Sequence, residues 1–180
     1  MKLKTKLLGQ VYTFRDIKEV LAKANEEKTG DKLAGLAAEN ARERVAAKVV
    51  LADLTLGDLR ENPAVPYEKD EVTRIIQDDV NEKIFAQIRN WNVAEFREWL
   101  LDENTTGADI RRISRGLTAE MVAAVAKLMG NLDLIYAASK IRVTAHCNTT
   151  IGLPGPFPAG SSPTTPPMTR RASRLPRWRV

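Results

Sequence analysis

The sequence predicts a mainly α-helical domain introduced by a single N-terminal β-hairpin. Three observations carry that reading. Between Ile17 and Tyr136 apolar residues recur at spacings of three and four, the period of a helix with one buried face. The first fourteen residues alternate with period two instead. Asp, Asn and Thr stand where successive helices would need N-caps, with Gly and Pro between them. The chain of 180 residues suits one domain of ordinary size. A complete (β/α)8 barrel alone takes about 250 residues. With 43% hydrophobic and 28% charged residues, a sizeable core can form and global disorder is excluded.

Lys2 to Phe14 alternates Leu3, Thr5 and Leu7, then Val11, Tyr12 and Phe14, about Gly9-Gln10, which predicts the hairpin. Asp16 caps a first helix bearing Ile17, Val20, Leu21 and Ala24, with Thr29-Gly30 as its stop. From Lys32 to about Leu54, the residues Leu33, Leu36, Ala37, Ala41, Val45 and Val49 predict the longest helix, with Arg42, Glu43 and Lys48 facing outward. Thr55 caps Leu56 to Glu61, and Pro63 and Pro66 impose an extended connection through Tyr67. Helix resumes near Asp70, where Val72, Ile75, Ile76 and Val80 form one buried stripe that Ile84, Phe85 and Ile88 extend. Asn92 caps a helix with Val93, Phe96, Leu100 and Leu101, and Trp91 and Trp99 secure its packing. A short helix through Ile110 and Ile113 ends at Gly116, Thr118 caps an alanine-rich helix, and Gly130 breaks it before Leu132 to Lys140. Ile141 to Val143 and Thr149 to Ile151 read as extended segments.

The N-terminus lacks the apolar region of a secretory signal and no stretch approaches the roughly 18 apolar residues of a membrane span, so a cytoplasmic location is expected. Cys147 is the sole cysteine, which excludes an intrachain disulfide. From Pro158 onward stand Arg170, Arg171, Arg174, Arg177 and Arg179 and no acid, so the net charge of +5 belongs to the tail. A neutral body gives no footprint for nucleic acid.

Four constellations invite a chemical reading. Asp78, Asp79 and Glu82 share a helical spacing, but no further ligand is placed to complete a metal site, and a solvated face fits better. His146 and Cys147, adjacent in an extended segment, point to opposite faces and have no second His or Cys to join them. Gly152-Leu153-Pro154-Gly155-Pro156 lacks the Gly-Lys-Ser/Thr ending of a phosphate loop and reads as a turn. Arg170-Arg171-Ala172-Ser173 has the form of a basophilic kinase site, and equally of a GC-rich frame read out of register.

A resemblance adds to this. Val11-Tyr12 followed by Val20 to Glu26, the run Thr73-Arg74-Ile75-Ile76-Gln77-Asp78-Asp79-Val80-Asn81-Glu82, then Val122 to Lys127, Asp133 to Tyr136 and Asn148 to Gly152, resemble in order and spacing the start of the ethanolamine ammonia-lyase large subunit. The run from Thr73 to Glu82 is the most specific of these. The resemblance implies an adenosylcobalamin-dependent radical lyase that turns ethanolamine into acetaldehyde and ammonia. It implies a helical N-terminal region followed by a (β/α)8 barrel holding substrate and corrin. As partners it implies a small subunit and other large subunits, with no nucleic acid and no membrane. The location implied is cytoplasmic, a bacterial microcompartment included.

The resemblance is expected to cover residues 1–157 as the helical N-terminal region, with residues 158–180 a disordered, aberrant Pro/Ser/Thr/Arg-rich tail holding five of the nine prolines. Codons permitted for Ala159 to Thr169, read from the third base of the first, spell Arg-Leu-Gln-Pro-Asn-Asp, the run the family's first barrel strand carries there. A reading-frame shift is therefore expected. In the family that Arg and Gln contact substrate, and their positions fall at Gly160 and Ser162, which cannot replace them. No catalytic, cofactor-binding or metal residue is accordingly assigned, and the chain is expected to be a truncated, inactive form that binds no adenosylcobalamin. The alternative reading is a non-catalytic helical module for subunit interaction.

Overall fold

The computed structural model describes residues 2–141, 145–146 and 150–151. The expectations for Arg142, Val143, Cys147, Thr149, the turn at 152–156 and the tail at 158–180 lie outside them.

The predicted hairpin is present. Strands β1 (Lys4–Leu7) and β2 (Gln10–Thr13) pair antiparallel, Leu7 opposite Gln10. The turn residues are thus Leu8 and Gly9, one place earlier than the sequence suggested. Both have positive φ, 49° and 84°, which matches the twist of a two-residue primed turn. Leu3, Leu7 and Tyr12 lean on the core.

Ten α-helices follow among the described residues: α1 (Ile17–Lys23), α2 (Thr29–Leu33), α3 (Ala41–Asp53), α4 (Leu56–Glu61), α5 (Glu71–Asp78), α6 (Glu82–Ile88), α7 (Val93–Leu101), α8 (Gly107–Ser114), α9 (Ala119–Leu128) and α10 (Asn131–Ser139). A short two-stranded pairing, β3 (Ala145–His146) with β4 (Thr150–Ile151), forms a separate unit. Most helices begin at a residue whose side chain accepts from a backbone amide three residues on. Asp16, Asn40, Thr55, Asp70, Asn92, Thr106 and Thr118 all do so. At α4 and α7 the caps are reciprocal boxes with Asp58 and Glu95. These two starts are also tied to each other, with Leu56 N donating to Trp91 O and Val93 N to Leu54 O, both at 2.9 Å.

Two expectations need correction. The long helix from Lys32 to Leu54 is two helices. Gly35 adopts a left-handed φ of 67°, which ends α2, and Asn40 caps a new start. The break leaves Leu33 and Leu36 exposed and turns α3 so that Ala46, Ala47, Val50 and Leu51 are buried while Val45 and Val49 are not. Glu43, expected outward, is half-buried and accepts from Lys23 of α1 at 2.6 Å. Thr29-Gly30, expected to stop α1, opens α2 instead; α1 ends at Lys23. The second correction concerns α5. Val80, Phe85 and Ile88 are buried as predicted, but Val72, Ile75 and Ile76 are exposed, because α5 ends at Asp78 and Asn81 caps α6 in a new direction.

The core gathers α3 against α1, β1, α7 and α9. Trp91, Phe96 and Trp99 form an aromatic group at its edge, with centroids 5.7 to 6.5 Å apart. Lys140 closes the far end: its ammonium donates to the carbonyls of Leu100 and Asp102 at 3.0 and 2.5 Å, satisfying the last turn of α7. This seats the Lys140 carbonyl against Gly107, where an added Cβ would stand 2.2 Å from the oxygen. Gly107→Ala is therefore expected to lose about 1–3 kcal/mol by overpacking against backbone, read as a lower denaturation midpoint with unchanged slope.

Candidate functional site

An open groove of about 630 Å³ lies where α4, the Pro63–Pro66 connection and α6 meet. Pro63 and Pro66 hold the connection extended, and Ala64 N donates to Glu120 of α9 at 2.9 Å, fixing it to the body. Arg60, at the end of α4, is the centre of the groove. Its two Nη atoms reach the two Glu82 oxygens at 2.9 and 2.5 Å, and its Nε reaches the Gln77 carboxamide at 3.2 Å. The guanidinium carbon lies 4.4 Å from the Phe85 ring centroid. Beside it Arg89 pairs with Glu61 at 2.6 Å, and the Tyr67 hydroxyl donates to Asp78 at 3.1 Å.

The acidic group noticed in the sequence is thus divided. Glu82 belongs to Arg60, Asp78 to Tyr67, and Asp79 ends α5 by donating its amide to Ile75 O at 3.1 Å. No group of three or more metal-binding side chains forms among the described residues. His146 is exposed on β3, opposite Thr150. The sequence reading missed Arg60, because its partners are 17 and 22 residues away and no local pattern joins them.

Arg60's hydrogen bonds hold the Glu82 carboxyl below its ordinary range, and Asp78's carboxylate beside Tyr67 pushes the phenol upward. Hydrogen bonds lower other carboxyls in the same sense: the Glu19 amide at Asp16, Thr73 at Asp70, Thr106 at Asp109 and Arg97 at Asp133. A carboxyl whose folded pKa lies below its unfolded value stabilises the fold above the unfolded pKa, near 4, and ceases to as pH falls through the folded value. The melting temperature is therefore expected to fall between pH 5 and pH 2. In Arg60→Met the Glu82 titration, followed by side-chain NMR, should move up toward the ordinary carboxylate range.

Both guanidinium groups of the groove are committed to carboxylates, so the groove acts as a clasp between α4, α5 and α6. Its volume is that of a pocket for a drug-sized molecule. What remains conspicuous is apolar surface. Helix α5 buries none of its residues, and Val72 and Ile75 are 61% and 62% exposed. On α10, Leu132 and Ile135 are 81% and 65% exposed. Grouped apolar side chains of this kind mark surfaces that other protein covers.

The run from Thr73 to Glu82 lies along α5 and into α6, supplying both that exposed face and two of the groups that hold Arg60. A family model described as Ethanolamine ammonia lyase large subunit (EutB) matches residues 12–171. The chain belongs to the ethanolamine ammonia-lyase large-subunit family. It is 56% identical over 163 residues to the ethanolamine ammonia-lyase large subunit of Escherichia coli K12, covering 91% of this chain and 36% of that protein. To the large subunit of Salmonella typhimurium it is 56% identical over 157 residues, covering 87% of this chain and 35% of the relative. The chain thus spans about a third of the length of these relatives, and the family match reaches past residue 157. Among the described residues no helix is long and apolar enough to cross a membrane.

Proposed function

We propose that residues 1–157 form the helical N-terminal region of an adenosylcobalamin-dependent ethanolamine ammonia-lyase, a region that supports and assembles the enzyme while the chemistry takes place elsewhere. The observation that carries this is the 56% identity across nearly the whole chain. The exposed faces of α5 and α10 support it, as surfaces suited to the barrel of the large subunit and to neighbouring subunits. The composition of residues 158–180, and the alternative frame that restores Arg and Gln at Gly160 and Ser162, favour a shifted reading frame after Phe157. On that reading the 180-residue chain itself is inactive and binds no adenosylcobalamin. We propose a cytoplasmic location, packaging in a bacterial microcompartment included, a reading that family membership supports.

The second reading, a helical interaction module with no enzymatic role, draws on the same apolar faces. A chimera separates the two: residues 1–157 replace the matching segment of the E. coli relative, and ammonia release from ethanolamine is measured with small subunit and cofactor. Turnover supports the enzyme reading. A folded, cobalamin-binding but inert chimera leaves only the module.

A further inference from the structure

A cavity of about 410 Å³ opens between the end of α1, α3, α9 and the start of α10, with Ala24, Ala126, Met129 and Leu134 as apolar lining and Lys127 of α9 in its wall. Lys127 is half-buried, and its side-chain nitrogen donates to the Asn25 carboxamide oxygen, a partner without charge. It enters no ion pair among the described residues.

The other half-buried lysines among those residues are answered differently. Lys23 meets the carboxylates of Glu19 and Glu43 at 3.0 and 2.6 Å, Lys48 meets Glu26 at 3.0 Å, and Lys140 donates to the carbonyls of Leu100 and Asp102. Lys18, Lys69 and Lys83 have no carboxylate either, but they are exposed and water solvates their charge. Burial pulls the Lys127 pKa down, Lys28 on the same cavity pulls the same way by repulsion, and Asp31 opposes them without reversing the shift. At Lys23 burial also pulls downward, but the hydrogen bonds to Glu43 and Glu19 reverse it and leave that pKa raised. Glu26, the acid of the cavity wall, is drawn to Lys48 and leaves Lys127 unpaired with charge.

We propose that Lys127 is a covalent carbonyl-binding site, its amine forming a reversible imine with a small aldehyde that carries an acid group. The neutral Nζ attacks the aldehyde carbon, and the carbon–nitrogen double bond is completed as the carbonyl oxygen leaves as water with the two amine protons. No oxidant or reductant enters. The cavity has room for such an adduct, being of the size that holds small organic ligands. Lys28 and Lys48 face it against the one carboxylate of Glu26, an excess of positive charge that favours an anionic substituent. The site stands independently of the lyase assignment.

The test uses the full 180-residue chain, incubated near neutral pH with glyoxylate and sodium cyanoborohydride, the reduced adducts being located by peptide mass spectrometry. Lys127 is expected to be alkylated about tenfold or more ahead of Lys18, Lys69 and Lys83, at a rate that saturates with glyoxylate and reaches its plateau at lower pH than theirs. Asn25→Asp sets a carboxylate against the amine and should slow Lys127 about tenfold while the exposed lysines keep their rates. Lys28→Gln removes both the repulsion and the attraction for the acid group, and should slow it as well. Normalised to Lys18, propionaldehyde should favour Lys127 less than glyoxylate does. Alkylation of Lys127 no faster than of the exposed lysines, a rate linear in glyoxylate, an equal preference with propionaldehyde, or a rate unmoved in a folded Asn25→Asp variant overturns the proposal. Should Asn25→Asp fail to fold, an unchanged rate in Lys28→Gln, at an exposed lysine, overturns it equally.

Discussion

The chimera that carries residues 1–157 on the remainder of the E. coli large subunit is expected to release ammonia from ethanolamine, and the 180-residue chain, assayed with the same small subunit and adenosylcobalamin, is expected to release none. The contrast is the largest effect anticipated here, since enzymes exceed the uncatalysed rate by a factor of about 10⁶ or more. The first half rests on compatibility. An identity of 56% over 163 residues supports a shared core around α3. Cores tolerate volume-conserving changes at a cost usually below about 1.5 kcal/mol each. The second half rests on the proposed shift of reading frame after Phe157, which leaves Gly160 and Ser162 where the resemblance puts the substrate-contacting Arg and Gln. Cobalamin-dependent ammonia release by the 180-residue chain would show that the catalytic assignment is misplaced. An unfolded chimera would show that the body has diverged too far to carry the continuation.

Much of the fold could be read from local chemistry. The caps at Asp16, Thr55, Asn92 and Thr118 stand where the sequence places them, because an N-cap is decided within four residues and needs no tertiary information. Gly130 separates α9 from α10 for the same reason. The hairpin was legible from alternation, although Leu8 rather than Gln10 shares the turn with Gly9; a leucine at positive φ is not what turn statistics favour.

What failed were statements about which face is buried. Val72, Ile75 and Ile76 satisfy a helical period, and periodicity says that a face is apolar without saying what covers it. Here the described residues leave it uncovered, and the sequence reading took amphipathicity for burial. The site was less legible still. Arg60 gathers Gln77, Glu82 and Phe85 from two other helices, and Lys127 meets Asn25 across 102 residues; neither set is contiguous. The family resemblance was readable because it rests on residue identity in a run such as Thr73 to Glu82, which needs no knowledge of packing.

The disagreement over α3 can be decided by experiment. Sequence periodicity puts Val45 and Val49 on the buried stripe, whereas the structure buries Ala46, Ala47, Val50 and Leu51, with Leu51 wholly inaccessible and Val49 40% exposed. Leu51 is fully buried in the core that α3 forms with α1, β1, α7 and α9, so shortening it opens a void. Leu51→Ala is expected to cost about 2–5 kcal/mol, the transfer energy of the lost methyl groups plus a cavity contribution. Against a typical domain stability of about 5–15 kcal/mol this leaves a marginal protein. Val49→Ala removes two methyl groups that water already reaches in part. Alanine is also the better helix former, by up to about 0.7 kcal/mol, so that change should stay near zero. Urea denaturation of the two variants, compared at equal slope, gives the answer. If Val49→Ala proves the more costly, α3 is rotated from the orientation described and the helix from Lys32 runs on as the periodicity suggests. A loss confined to Leu51→Ala fixes the break at Gly35 as the event that turns the helix.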